Sequence, residues 1–319
     1  MVANIYRLIE VKNMNFITNI PSCILSLLLF SGFCSAEVQQ QSIKSVTTLS
    51  IGSISNNPKN EVKKFQPLVD YIVNHLPDSN IKIGRIVVAN SLQEMSDLIS
   101  RGEVDIYIDS PFPVIAVGKN TGSVPFLRRW KKGVSQYRSV IFTHKDSGVT
   151  SIGDLKGKVV AFEEEFSTSG YFLPKATLLE NKFIIVEKYR NTAPVSRDKV
   201  GYVFSQDDET TMIWVLRKKV AAGALNKKAF KEFSKSRRNE LIILKETILV
   251  PRQVVVHRPG LPVKLRENIQ RILLNMDKTS QGQSILNAFE RTKKFDLIAM
   301  SELSEIAALF NLIESDFSY

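Results

Sequence analysis

Val159-Val160-Ala161-Phe162, followed five residues later by Ser167-Thr168-Ser169-Gly170-Tyr171, is the stretch on which the fold turns. A continuous apolar run of four reads as a buried strand, and the segment from Tyr171 onward reads as a helix. Three hydroxyls and a glycine therefore sit where a strand hands over to a helix. The first turn of a helix has N–H groups without partners and a partial positive charge, so this junction is suited to holding an anion. Ser and Thr are also common N-caps, and one hydroxyl at a helix start is ordinarily no more than a cap. The rest of the chain has to separate the two readings.

Outward from this junction, strands and helices alternate. Val46 to Ile51 reads as a first strand, ending in the polar loop Gly52–Pro58. Phe65, Leu68, Val69, Ile72, Val73 and Leu76 share one helical face, and Pro67 places the start of that helix near itself, since Pro suits a first turn. Ile81 to Val88 is a second strand. Leu92, Met95, Leu98 and Ile99 mark a second helix, stopped by Gly102. Val104 to Ile108 is a third strand running into Asp109-Ser110-Pro111. This β-α-β-α-β order predicts a mainly parallel sheet flanked by helices, with ligands received beyond the strand C-termini. Asp109 and Ser110 lie there, although Asp-Ser-Pro by itself is only a turn signal.

Phe126 to Lys132 carries the charge run Arg128-Arg129-Trp130-Lys131-Lys132, read as a solvated edge strand. A second α/β lobe starts near Tyr137, with a strand to His144, a Ser151-x-x-Asp154 capping box and the Val159 junction. Gly201 to Ser205 is a further strand. Asp207 or Asp208 caps the helix after it, acids being favoured at a helix N-terminus. Arg252 to His257 is a strand expected to end the second lobe. From Pro262 the pattern is helical to Ile313, and these helices are expected to return to the first lobe. The boundaries that follow are 1–36 for a leader, 37–136 and 137–256 for the two lobes, and 257–319 for the terminal helices.

The leader is read from charge and hydropathy. Arg7 and Lys12 precede the apolar run Ile24–Phe30, and Ser31-Gly32-Phe33-Cys34-Ser35-Ala36 supplies small residues for cleavage after Ala36. That is the order of a secretory signal, with an apolar core too short for a comfortable membrane span. Thirteen residues precede Met14, an unusually long lead, and a chain begun at Met14 lacks Arg7 and Lys12. Phe33 is too large for a lipid anchor on Cys34. Both cysteines, Cys23 and Cys34, fall inside the leader, so the remaining chain needs no disulfide, as its size allows. These features place the protein in a bacterial periplasm.

The 319 residues are about right for two lobes, and 44 % hydrophobic with 24 % charged residues is ordinary globular composition. A net charge of +11 suits an anionic partner. Lys and Arg are spread along the chain without a basic helix or aromatic–basic sheet motif, which argues against nucleic acid. His75, His144 and His257 are far apart, and no H-E-x-x-H or cysteine pair exists, so no metal site and no cofactor are expected. Neither a G-x-S-x-G elbow nor a phosphate-binding P-loop is present. Asp207, Asp208 and Glu209 could supply an acid or base, but no His stands near them in sequence, and the expectation is a binding protein and not an enzyme.

Val104-Asp105-Ile106, Tyr137-x-Ser139-Val140, Asp146-Ser147-Gly148, Ile152-x-Asp154-Leu155-Lys156-Gly157-Lys158 and Ser167-Thr168-Ser169-Gly170-Tyr171-x-x-Pro174 occur in one order. Together they resemble the phosphonate/phosphate-type periplasmic substrate-binding proteins of ABC transporters, over nearly the whole chain after the leader. The resemblance implies a two-lobed type II periplasmic binding fold that closes on a small phosphorus oxyanion or phosphonate and delivers it to a membrane permease. An accessory that reports a ligand to a membrane histidine kinase or cyclase is the alternative on the same fold. It also implies ligand contacts from Ser167, Thr168, Ser169 and Gly170, and, by position in neighbouring loops, from Asp109, Ser110 and Asp208. Family members that take aminoalkyl phosphonates often have an aromatic or apolar residue and Gly where this chain has Asp109-Ser110, so the departure bears on which ligand is accepted.

Overall fold

The computed structural model describes residues 48–77 and 80–314. The leader, both cysteines and the start of the first predicted strand lie outside the described residues. Strands β1 (Thr48–Ile54), β2 (Ile83–Ala89), β3 (Ile106–Asp109) and β4 (Val124–Arg129) are followed by β5 (Gln136–Tyr137) and β6 (Ser139–His144). Next come β7 (Val159–Phe162), β8 (Ile184–Glu187), β9 (Lys199–Phe204), β10 (Ala222–Asn226) and β11 (Leu241–Glu246). The last strands are β12 (Val250–Pro251), β13 (Gln253–His257) and β14 (Phe295–Leu297).

Two six-stranded sheets result, ordered β14-β4-β13-β3-β1-β2 and β11-β6-β10-β7-β9-β8. Both are mixed, where a mainly parallel sheet was expected: β1 runs parallel to β2 and β3, but β13 is antiparallel to both β3 and β4. In the second sheet β7, β8, β9 and β10 are parallel in their pairings, and β6 is antiparallel to β10 and β11. The expectation that Arg252–His257 ends the second lobe is also corrected. Val254, Val255 and Val256 are buried on both faces inside the first sheet, which is what an uninterrupted valine run requires. The chain crosses between the sheets twice, and the two crossings pair as the short ribbon β5–β12, Val250 opposite Tyr137.

Helices cover both sheets: α1 (Pro58–Asn74), α2 (Leu92–Ser100), α3 (Pro111–Thr121), α4 (Leu173–Glu180), α5 (Asp208–Leu216), α6 (Lys227–Phe233), α7 (Val263–Asn275), α8 (Ser280–Ala288) and α9 (Ser304–Ile313). The first helix starts at Pro58 under an Asn57 cap, nine residues ahead of Pro67, which lies inside it. Pro67 and Lys63 are exposed, so the carbonyl that loses its N–H partner is open to water and the helix tolerates the break. Phe65, Leu68, Val69 and Ile72 are buried as their spacing predicts, in one cluster with Ile269, Leu273 and Phe289 of the C-terminal region. On the other face of the first sheet, Phe112 of α3 stacks on Phe172 at 4.5 Å, beside Leu309 and Phe310 of α9. The second sheet has its own cores, around Phe162 and Tyr202 on one face and Phe142 and Met212 on the other. None of the described helices is long and apolar enough to cross a membrane.

Candidate functional site

Between β7 and α4 the chain makes one π-helical turn, Thr168–Phe172, in which the Phe172 N–H reaches the Ser167 carbonyl at 2.9 Å. Ser167 caps it by accepting the Gly170 N–H at 2.9 Å. The wider turn is locked by Glu163, whose N–H donates to the Gly170 carbonyl at 3.0 Å. Ser139 of β6 ties down the Ser169 carbonyl at 2.6 Å. The hydroxyl turn is thus anchored to two strands of the second sheet.

It faces a cavity of about 220 Å³. Of the seven residues singled out from sequence, Ser167, Thr168, Ser169, Asp109, Ser110 and Asp208 line this space. Gly170 stands one layer behind, packed on Glu163. Asp207 caps α5 through the Thr210 N–H at 2.8 Å, which settles which of the two aspartates does so and leaves Asp208 to the cavity. Asp208 Oδ1 is buried and has no hydrogen-bond partner among the described residues, so the wall presents an acceptor that lacks a donor.

Ser110 precedes α3 and gives that helix no side-chain cap. Its hydroxyl instead joins the two sheets: Thr168 Oγ1 accepts the Phe112 N–H at 3.0 Å and donates to Ser110 Oγ at 2.8 Å. Ser110 in turn donates its hydroxyl and its N–H to Asp109 Oδ1, at 3.3 and 2.6 Å, and Tyr107 donates to Asp109 Oδ2 at 3.0 Å. Burial raises the Asp109 carboxyl to about 6 against these bonds, with Glu61 adding to the rise and Lys131 opposing it.

Sequence reasoning missed the cations of this site. Lys131, Lys132 and Arg252 line the cavity, and Arg129 is fully buried behind them. The solvated-edge reading of 126–132 is therefore corrected: β4 is an interior strand, covered by β13 on one side and β14 on the other. Arg129 donates to Thr292 Oγ1 at 2.9 Å, to the Phe289 carbonyl at 2.8 Å and to Glu290 at 3.1 Å. Lys131 meets Glu290 at 2.9 Å. Burial lowers the Lys131 ammonium to about 8 against the pull of Glu290, and Arg252 and Arg129 add to the fall. Burial alone would raise Glu290, but Lys131 and Arg129, with Lys64, hold it well below the ordinary carboxylate range. The large aromatic Trp130 in the middle of the basic run Arg128–Lys132 was the only local hint.

Also missed was Glu163, the first of three acids between β7 and the hydroxyl turn. Its Oε2 accepts from Ser167 Oγ at 2.6 Å. Burial first, then the neighbouring Asp208, pushes this carboxyl up to about 8, opposed by the Ser167 bond and by Lys131. Burial likewise raises Asp208, opposed by Lys132 and Arg252. The arrangement joins hydroxyl and cationic donors with protonatable acids in a space sized for a few heavy atoms. That is chemistry for a small, strongly polar anion.

The same fold is found in solved structures of low sequence identity. The protein XAC2383 from Xanthomonas citri, described as bound to ATP, matches with a TM-score of 0.80 at 23 % identity, over 85 % of this chain and 100 % of its own. PhnD1 from Prochlorococcus marinus, described in complex with methylphosphonate, matches with a TM-score of 0.63 at 20 % identity, over 84 % and 98 %. A binding protein component of an ABC phosphonate transporter from Pseudomonas aeruginosa matches with a TM-score of 0.62 at 16 % identity, over 84 % and 87 %. The family described as ABC transporter, phosphonate, periplasmic substrate-binding protein matches residues 51–303. With most of its length under that one description and a type II periplasmic binding fold around the cavity, this chain belongs to the phosphonate-type periplasmic substrate-binding proteins of ABC transporters.

Proposed function

We propose that this protein captures a small phosphorus oxyanion or phosphonate in the cavity at Ser167–Ser169 and presents it to a membrane permease. The observation that carries the reading is the hydroxyl turn set against Lys131, Lys132 and Arg252 across about 220 Å³. Ligand sites for drug-sized molecules run from about 300 to 1,000 Å³. This one suits a phosphonate-sized guest. Micromolar affinity corresponds to about −8 kcal/mol, and charge-assisted hydrogen bonds give about 1.5–3 kcal/mol each. Three cations, joined by the hydroxyls of the turn as their hydrogens are released, supply enough donors. We place the two sheets in two lobes, the first built from residues 48–129 and 253–314 and the second from 139–246, closing about the β5–β12 ribbon.

The acceptor on Asp208 sharpens the choice of ligand. It is met by a guest that brings a hydrogen of its own, on a P–OH or on an amine. Titration calorimetry against phosphate, phosphite, methylphosphonate and aminoethylphosphonate tests the reading. At least one is expected to bind at micromolar concentration or below, and silence from all four overturns it. Ser167→Ala combined with Ser169→Ala is expected to weaken that binding about a hundredfold or more, as two charge-assisted bonds are lost. A melting temperature lowered by no more than the loss of the Ser167 cap, about 1 kcal/mol, separates lost contacts from lost fold.

A further inference from the structure

Two of the hydroxyls that face the cavity, those of Ser167 and Thr168, already have their hydrogens committed. A hydroxyl has one hydrogen to give and two lone pairs to receive with. Ser167 receives from Gly170 and gives to Glu163 at 2.6 Å. Thr168 receives from Phe112 and gives to Ser110, which gives to Asp109. In this arrangement neither Ser167 nor Thr168 has a hydrogen left for an anion, and each is wired to a carboxyl that lines the same space.

Resting on the reading of the cavity as an oxyanion site, we propose that capture is proton-linked. Ser167 and Thr168 become donors to the anion only when the carboxyl wired to each, Glu163 and Asp109, carries a proton. A proton from solvent on Glu163 reverses the first wire. The Glu163 O–H then donates to the second lone pair of Ser167 Oγ, and the Ser167 hydrogen turns to the guest. A proton on Asp109 reverses the second in the same way, through Ser110 to Thr168. No covalent bond changes, one proton is taken up per wire, and a negative charge is removed from the wall as the anion arrives.

The surroundings favour this. Glu163 is faced by Asp208 of α5 and by Glu164 on its own loop, which oppose its ionisation, and by Lys131 beyond β4, which favours it. Lys132 and Arg252 line the cavity opposite. Asp109 is faced by Glu61 of α1, by Glu164 of the loop before the hydroxyl turn, by Tyr137 of β5, which also reaches Thr168, and by Lys131, and is bonded by Tyr107 and Ser110. A raised carboxyl keeps its proton below its own pKa and loses it above. Ser167 is therefore available to the anion below about pH 8 and withdrawn as pH rises through that value. The Asp109 wire loses its proton lower, near pH 6, unless a bound anion holds it.

Calorimetric titration with methylphosphonate, and with phosphite in parallel, in buffers of different ionisation enthalpy from pH 6 to 9.5, counts the protons taken up. The same titration of Glu163→Gln cancels the ligand's own titration and that of Lys131. Its amide keeps the shape and donates permanently to Ser167. Above pH 8 the affinity of the parent protein is expected to fall about tenfold more per pH unit than that of the variant, with up to one more proton taken up. Equal proton counts and parallel pH profiles overturn the linkage while leaving the oxyanion reading intact. If none of the anions binds, both fall. Should Glu163→Gln melt early, Asp109→Asn asks the same question of the second wire, where the excess uptake near pH 6–7 must disappear.

Discussion

Replacement of Arg129 by alanine is expected to destabilise the protein by about 3–5 kcal/mol, the cost of breaking a buried, hydrogen-bonded ion pair. The guanidinium is fully buried, and burial lowers its pKa to about 10 while Glu290 opposes the fall. It lies over the Phe289 ring, with its carbon 3.4 Å from the ring centroid. It also satisfies Thr292, Gln253, the Phe289 carbonyl and Glu290. Alanine would remove one of the cations that hold Glu290, take a donor from Thr292, Gln253 and the Phe289 carbonyl, and leave a void the size of the side chain. The effect reaches the cavity, because Glu290 would then be held by Lys131 with less help. Urea denaturation measures the first consequence, and a midpoint within experimental error of the parent would refute it. Ligand titration of the surviving folded fraction measures the second, as a shift in affinity.

Gly170→Ala is expected to abolish oxyanion binding and to cost about 1–3 kcal/mol of stability, as overpacking does. A Cβ at this position would lie 2.3 Å from Glu163 Cβ, 2.5 Å from Glu163 Oε2 and 3.0 Å from Ser167 Oγ. Neither neighbour can yield easily. Glu163 is held by two backbone bonds, to Gly170 and from Gln206, and Ser167 is the cap of the turn. Relief has to come from the turn itself, which carries the hydroxyls out of position. Binding calorimetry with the tightest of the four anions decides the matter: parent-like affinity in the alanine variant would show that the turn is not the gripping element.

The alternation of strand and helix was legible because buried strands are unbroken apolar runs and surface helices repeat every three or four residues. β1 to β3, α1 and α2 follow that pattern, and so does the β7 junction. The helix α3 was not legible, because Pro111-Phe112-Pro113 reads as a turn. Yet both prolines fall in the first turn, where a helix needs no N–H from them. Arg129 could not be read as buried from its neighbours. The residues that receive it, Gln253 and Thr292, are 124 and 163 positions further along the chain. Of the site, the hydroxyls and aspartates were visible as polar residues at strand ends. Lys131, Arg252 and Glu163 were not, since a charge in a loop looks solvated until another part of the chain covers it.

Strand β13 reaches the first sheet late in the chain, and this sets the order of folding. All strands of the second sheet lie within residues 139–246, so it can assemble as soon as that segment is free. The first sheet cannot. β13 is an interior strand between β3 and β4, and until residue 257 is available those two strands have no partner between them. A chain released from its N-terminal end therefore leaves its first half waiting, with two open sheet edges, while its middle third folds. The binding half that begins the chain is the one completed last.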